Sequence, residues 1–425
     1  MEQPTLPKKR IFLWTLYDFA NSIAVIVFAI YFSQWLVVDR GVSDLWYNLL
    51  YVGSTILVLA TTPIWGAIAD KRGVQMPYLR VTTTLQFTAL AIGSVLAVLL
   101  PAHGHTVLLV ALLFMLANYF YQFTFTFYNA LLPNLAPTER QGLISGIGQA
   151  GNWMGQVVGI ILILPVATGA IYFFGEHGRA QTFLPSTILF FLLALPMLIF
   201  FKDSGPARAV SVSVREEYRN FFHSLRGLLQ SPGLGRYLLA FFFFNDAALT
   251  AENNIAIYMQ QVFHVSDTAK SYYFLGVLLT AALGALVGGK ASDRIGLKRS
   301  LMYILLFWII IFPIMASLTS FTLFAIVSIT FGFMFGATWT VTRAVMSYLT
   351  PHERVNHGFS YYTLAERFST FVGPVSWGLI TTLLVAHGPV RYQIALGSLS
   401  VFIFIGLLIA RKIPSDRKPA VPAAV

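Results

Sequence analysis

The feature that most constrains this chain is a succession of apolar runs, each ~20 residues or longer, recurring along nearly its whole length. As a helix, a run of that length crosses a ~30 Å hydrocarbon core, and inside hydrocarbon every backbone N–H and C=O must be bonded within the segment. Twelve spans are placed at 11–38, 45–69, 79–100, 107–132, 142–168, 183–201, 237–262, 271–289, 300–318, 321–349, 357–386 and 391–410. Short alternating strands are absent, which argues against an outer-membrane barrel. The first run is too long for a signal-peptide core and lacks a small-residue cleavage site, so it reads as a retained helix. The sequence is 57% hydrophobic and 11% charged, against roughly 25% charged in a soluble domain. It contains no cysteine, so disulfides, thiolate catalysis and Cys-ligated metals are excluded.

The formal net charge of +11 would suggest nucleic acid in a soluble protein, but the basic residues alternate with the spans. Lys8, Lys9, Arg10, Lys71, Arg72, Arg80, Arg140, the linker arginines, Lys290, Arg294, Lys298, Arg299, Arg354, Arg411 and Lys412 fall on one side. The opposite loops carry only Arg40, Arg179, Lys270 and Arg391. The positive-inside rule then places both termini in the cytoplasm, as an even number of spans requires. The basic balance is topology, with membrane lipids as a secondary partner and no nucleic acid. The expected location is a bacterial inner membrane.

The longest polar interval, residues 202–236, separates an N-terminal six-helix half (1–201) from a C-terminal one (237–425). Three correspondences indicate duplication. Gly66-Ala67-Ile68-Ala69-Asp70-Lys71-Arg72-Gly73 after the second span matches Gly289-Lys290-Ala291-Ser292-Asp293-Arg294-Ile295-Gly296 after the eighth. Pro137-Thr138-Glu139-Arg140 matches Pro351-His352-Glu353-Arg354, and Asp18 in the first span has Asp246 in the seventh. The order is kept while loop lengths drift.

Two six-helix halves sharing a G-x-x-x-D-[KR]-x-G loop resemble the major facilitator superfamily. Within it, YDFANS in the first span and YNALLPNLAPTERQGLISGIGQAGNWMG (128–155) resemble the vacuole-effluxer, or unknown-major-facilitator, branch. The resemblance implies an all-α membrane protein of twelve helices whose first, fourth, seventh and tenth spans line a central cavity, and, for the branch, amino-acid efflux.

Asp70 and Asp293 fall at helix C-termini, where the macrodipole disfavours a carboxylate, so each requires a partner from elsewhere. The resemblance implies the N-terminus of the eleventh span for Asp70 and of the fifth for Asp293. Both termini carry capping sequences, Thr350-Pro351-His352-Glu353 and Thr138 with Gln141. Asp70, Arg72, Gly73, Glu139, Arg140, Asp293, Arg294, Glu353 and Arg354 are thus read as a conformational latch.

Polar residues inside the spans mark the candidate site. A charged group at mid-helix costs on the order of 2.5–3.5 kcal/mol unless paired or hydrated. Asp18 and Asn21 lie in the first span, Asn118 and Gln122 in the fourth, Gln149 and Asn152 in the fifth, Asp246 and Glu252 in the seventh. Trp339 and Arg343 lie in the tenth, Glu366 and Arg367 in the eleventh. Lone hydroxyls read as interhelical glue, worth about 0.6 kcal/mol per pair. The charged residues are read as functional, since glue is made at lower cost from uncharged groups. Four acids cannot all pair with two bases, so some are free to take a proton or a charged substrate, with Asp18 placed slightly ahead of Asp246 as proton carrier. Small-xxx-small spacing at Gly142-Gly146, Gly151-Gly155-Gly159 and Gly284-Gly288 is expected to form the seam between the halves.

These features point to a monomeric secondary transporter for a small polar or zwitterionic solute, amino-acid-like first, driven by protons and without cofactor or metal. A multidrug or lipid exporter is the alternative. No G-x-x-x-x-G-K-[ST] supports direct ATP coupling. A membrane enzyme is disfavoured because His103, His105, His177, His264 and His387 have neither metal-ligand nor triad spacing. A receptor or scaffold would be expected to add a sizeable soluble domain.

Overall fold

Helices account for the architecture in a computed structural model that describes residues 7–99, 103–135, 138–173, 178–203, 205–210, 213–230, 233–349, 366 and 369–414. Side chains of 138–143, 145, 224, 225, 228–230, 293 and 347 fall outside that description. No strand occurs among the described residues. The chain forms two units, residues 1–221 with 266–271, and residues 222–265 with 272–425.

In the first unit α1 (Lys8–Val27) continues through two π-helical stretches, Phe28–Phe32 and Trp35–Asp39. It is followed by α2 (Asp44–Arg72), α3 (Met76–Leu99), α4 (Gly104–Asn129), α5 (Thr138–Ala167) and α6 (Phe183–Phe200). A linker helix, α7 (Val214–Gln230), begins here, with Glu217 paired to Lys71 at 2.5 Å. The core helix is α1, packed on α5 and α6 and bonded to α3 and α4. The Trp14 and Tyr128 rings stack at 4.5 Å and 2°, while Trp14 Nε1 donates to the Tyr128 carbonyl and Tyr128 Oη to that of Trp14. Such a ring pair contributes about 0.5–1.5 kcal/mol beyond its buried area.

The second unit comprises α8 (Leu234–Phe263), α9 (Asp267–Ile295) beyond its first turn, α10 (Leu297–Ser317), α11 (Phe321–Leu349), α12 (Val372–Leu383) and α13 (Val390–Ala410). Here α8 is the core helix, packed on α11, α12 and α13. Ten helical segments among the described residues are long and apolar enough to cross a membrane. Helix α8, with 30 residues, is not among them because Asn245, Asp246, Glu252, Asn253 and Asn254 interrupt its apolar runs.

Two expectations need correction. At Gly151-Gly155-Gly159 and Gly284-Gly288 the glycine spacing, expected at the seam between the halves, meets a helix of the same unit, while Gly146 meets nothing within 4 Å. The spacing lets helices close up inside each unit: a Cβ at Gly148, Gly151, Gly155 or Gly159 would crowd Trp14, Thr15, Phe19 and Ile23 of α1. In the second unit Gly284 and Gly288 of α9 meet Phe333 and Ala337 of α11, and Gly332 and Gly336 of α11 meet Val277 and Ala281 of α9. The eleventh span, expected as one run over 357–386, is helical at Glu366, turns at Ser369–Phe371 and resumes as α12 at Val372. Pro374 falls in the first turn of α12, where its missing N–H costs no helical bond. Residues 350–365, 367 and 368 lie outside the described residues.

Candidate functional site

In WTLYDFANS successive side chains fan out around α1, ~100° per residue. Trp14 faces α4 and α5. Tyr17 shares a 2.6 Å hydroxyl bond with Thr83 of α3, and Asn21 accepts from Gln86 of the same helix at 3.2 Å while donating to the Tyr17 carbonyl. Asp18 turns instead to α5, where Asn152 Nδ2 donates to its Oδ1 at 2.9 Å and Gln156 donates to Asn152 Oδ1 at 3.0 Å. Only 7% of Asp18 is exposed. Gln149, half-buried, follows Gly148, the glycine that admits the Trp14 ring.

Asn118 and Gln122 do not join this group. Asn118 Nδ2 donates to Ser54 Oγ at 2.6 Å, and Gln122 bonds Ser54 at 3.1 Å and Thr55 at 3.4 Å. Their amides bond α4 to α2.

In the second unit Asp246 is fully buried on α8. Its Oδ2 accepts from the Gly373 N–H at 2.6 Å, with the Phe371 and Val372 N–H groups also bonding to the carboxylate. Asp246 thereby caps α12 at its positive end. Asn245 beside it donates to Ser369 Oγ at 2.5 Å. A Cβ at Gly373 would collide with Thr250 Oγ1 and approach the Asp246 carbonyl to 3.0 Å, so glycine permits this contact. Thr250 and Asn254 bond carbonyls of their own helix, at 2.6 and 2.9 Å.

Glu252 and Glu366 are half-buried and close enough for their charges to repel, and neither has an ion pair among the described residues. Trp339 sets its ring edge-on to Phe335 at 6.1 Å, and Arg343 is half-buried one turn further along α11. Arg367, Glu353 and Arg354 lie outside the described residues, as do the side chains of Glu139, Arg140 and Asp293.

At the two G-x-x-x-D-[KR]-x-G loops the glycines carry the geometry. Gly73 closes α2 with φ +71°, its N–H on the Asp70 carbonyl (3.0 Å) and the Val74 N–H on that of Ala69 (3.2 Å); Gly296 has φ +94°. Only glycine enters that region without a Cβ penalty. Asp70 accepts from Gln75 Nε2 at 2.8 Å, a partner within its own loop, and Arg72 donates to Tyr78 at 3.3 Å. Arg294 is exposed. The eleventh-span terminus expected to meet Asp70 lies outside the described residues.

One charged cluster has no counterpart in the sequence reading. Arg179 bonds Asp39 through Nη1 and grips Asp267 through Nε at 2.8 Å and Nη2 at 3.1 Å. Lys270, fully buried, meets Asp267 at 2.8 Å and also bonds Gln34; Tyr31 and Ser271 share a 2.8 Å hydroxyl bond alongside. All belong to the first unit, which includes the first turn of α9. The available signal was that Arg179 and Lys270 are two of only four bases in the loops opposite the basic side. No cluster with metal-ligand character occurs among the described residues.

A family model described as Major Facilitator Superfamily matches residues 14–251 and 238–424. Among curated relatives, the Uncharacterized MFS-type transporter YxiO of Bacillus subtilis (strain 168) is 22% identical over 418 residues, covering 95% of this chain and 94% of the relative. The Multidrug resistance protein MdtG of Klebsiella pneumoniae (strain 342) is 22% identical over 401 residues, covering 90% of each. Among solved structures, a bacterial homolog of the human lysosomal transporter Spinster, in an inward-facing and unoccupied conformation, aligns with TM-score 0.74 at 14% identity, covering 96% of this chain and 98% of that one.

Proposed function

Since the chain belongs to the major facilitator superfamily, a family of multi-pass membrane transporters and not of enzymes, we propose that it moves a small polar or zwitterionic solute, amino-acid-like in pairing an amine with a carboxylate, by proton-coupled alternating access. The observation that carries this reading is the pair of buried carboxylates, Asp18 on α1 and Asp246 on α8, each held by the fifth span of its own half. Uncharged groups would bond the same helices at lower cost, so acids at both equivalent places argue for a charge-handling role. The substrate ammonium is assigned to Asp18 or Glu252 and its carboxylate to Arg343 or Arg367, with Asn152, Gln149 and Trp339 shaping the site.

The same reading takes the protein as a monomer in a bacterial inner membrane with both termini cytoplasmic. Asp70 and its loop act as the latch: Asp70→Ala is expected to slow transport while leaving substrate affinity intact, and unchanged transport would remove that role. The relative named as a multidrug resistance protein favours a second reading, a multidrug or lipid-like exporter.

Purified protein in vesicles separates the two. Counterflow of labelled amino acids, with accumulation under an imposed proton gradient and collapse on adding a protonophore, supports the first reading. Flux of a lipophilic dye cation without amino-acid exchange overturns it in favour of the second.

A further inference from the structure

We propose that Asp246, and not Asp18, takes up the coupling proton, and that its protonation releases the start of α12 from α8. The inference rests on the proton-coupled reading above and assigns it to one residue and one moving part.

The two acids occupy corresponding places, but their surroundings differ in what a proton would change. Asp18 is bonded by the Asn152 amide of α5, a helix unbroken from Thr138 to Ala167. Next to that contact, Gly151 and Gly155 seat α5 directly on α1. Close backbone packing that does not depend on the Asp18 charge therefore holds α5 on α1.

Asp246 is held differently. Its only bonds among the described residues come from backbone N–H groups at the beginning of a short helix, so the attraction is that of a full negative charge for a positive helix end. Its other oxygen, Oδ1, is buried and has no hydrogen-bond partner among the described residues, which leaves a lone pair open to a proton.

No ionisable side chain among the described residues acts on this carboxylate. On the elements packed against α8, α12 carries no titratable group at all. On α13, Arg391 is committed to the Thr381 carbonyl at 3.0 Å and to Tyr392. The ionisable groups of α11 are Arg343 and Tyr348, and those of α8 itself are Arg236, Tyr237, Glu252 and Tyr258. A proton on Oδ1 would thus neutralise the charge that caps α12, next to the turn at Ser369–Phe371.

The absence of cysteine permits a direct test. Thr370, almost fully buried at the turn before α12, is replaced (Thr370→Cys) and its maleimide labelling followed in vesicles from pH 8 to pH 5. Labelling is expected to rise several-fold as pH falls, to be high and pH-independent in the Asp246→Asn background, and to keep its pH response in the Asp18→Asn background. In parallel, Asp246→Asn should retain solute exchange while gradient-driven accumulation falls at least tenfold. A pH response that persists in Asp246→Asn, or is lost in Asp18→Asn, overturns the assignment, as does gradient-driven accumulation surviving Asp246→Asn. A wild-type protein that exchanges solute but never accumulates it under a proton gradient overturns the coupled reading itself, and the assignment with it.

Discussion

Arg179 holds Asp267 as a two-pronged pair, Nε to Oδ2 at 2.8 Å and Nη2 to Oδ1 at 3.1 Å, and bonds Asp39 with its remaining prong. One guanidinium thus joins the end of α1 to the first turn of α9, while Lys270 fills the fully buried position behind. Breaking a largely buried ionic group by removing one partner costs about 3–5 kcal/mol, because the other charge is left uncompensated. Arg179→Ala is therefore expected to lower the melting temperature of the detergent-solubilised protein by several degrees. Arg179→Lys should recover only part of the loss, since an ammonium cannot reproduce the planar fork. Melting curves identical to wild type for both variants would show that the cluster does not stabilise the fold.

The close approach of α5 to α1 gives a paired prediction. Gly155→Ala places a methyl group against the Phe19 carbonyl, whereas Gly146→Ala, nine residues earlier on the same helix, meets nothing within 4 Å. The first should destabilise by about 1–3 kcal/mol through overpacking, and the second should be neutral or slightly stabilising. Yield of folded protein by size-exclusion chromatography and thermal midpoints measures both. Equal behaviour would mean the helices separate without cost.

For Gln122 the structure predicts a stability effect without a specificity effect. Gln122→Leu removes its bonds to Ser54 and Thr55, at about 0.6 kcal/mol per interhelical bond. The substrate KM should stay within twofold of wild type while the thermal midpoint falls slightly. A KM change of tenfold or more would return Gln122 to the binding site.

Gly373→Ala is expected to push α12 away from α8 through its clash with Thr250 Oγ1. Shortening that neighbour in Gly373→Ala/Thr250→Ala should restore part of the transport rate, the 3.0 Å approach to the Asp246 carbonyl remaining. Absence of any rescue would place the constraint elsewhere, and wild-type rates in the single variant would remove it.

The sequence by itself determined that the chain is a succession of membrane-spanning helices, along with their order and the positions of the loop motifs. The hydrocarbon thickness imposes a length and a polarity that can be counted residue by residue, which is why the helix limits found for α2, α6, α10 and α13 lie within a few residues of those expected. The same periodicity says which residues are unusual on a helix but never which helix they meet. Glycine spacing was legible, yet its partner, α1 rather than the other half, is a property of packing. Asn118 and Gln122 looked like Asp18 in being polar at mid-span, and only the position of Ser54 on α2 showed that both bond to a neighbouring helix of the same unit. Val372-Gly373-Pro374 could have signalled the restart of the eleventh span, but that its exposed N–H groups find Asp246 on α8, 127 positions earlier in the chain, depends on two helices brought together by the fold. The Arg179 cluster likewise gathers residues 39, 179, 267 and 270. Burial makes such polar partners obligatory, and chain topology alone decides which of them are within reach.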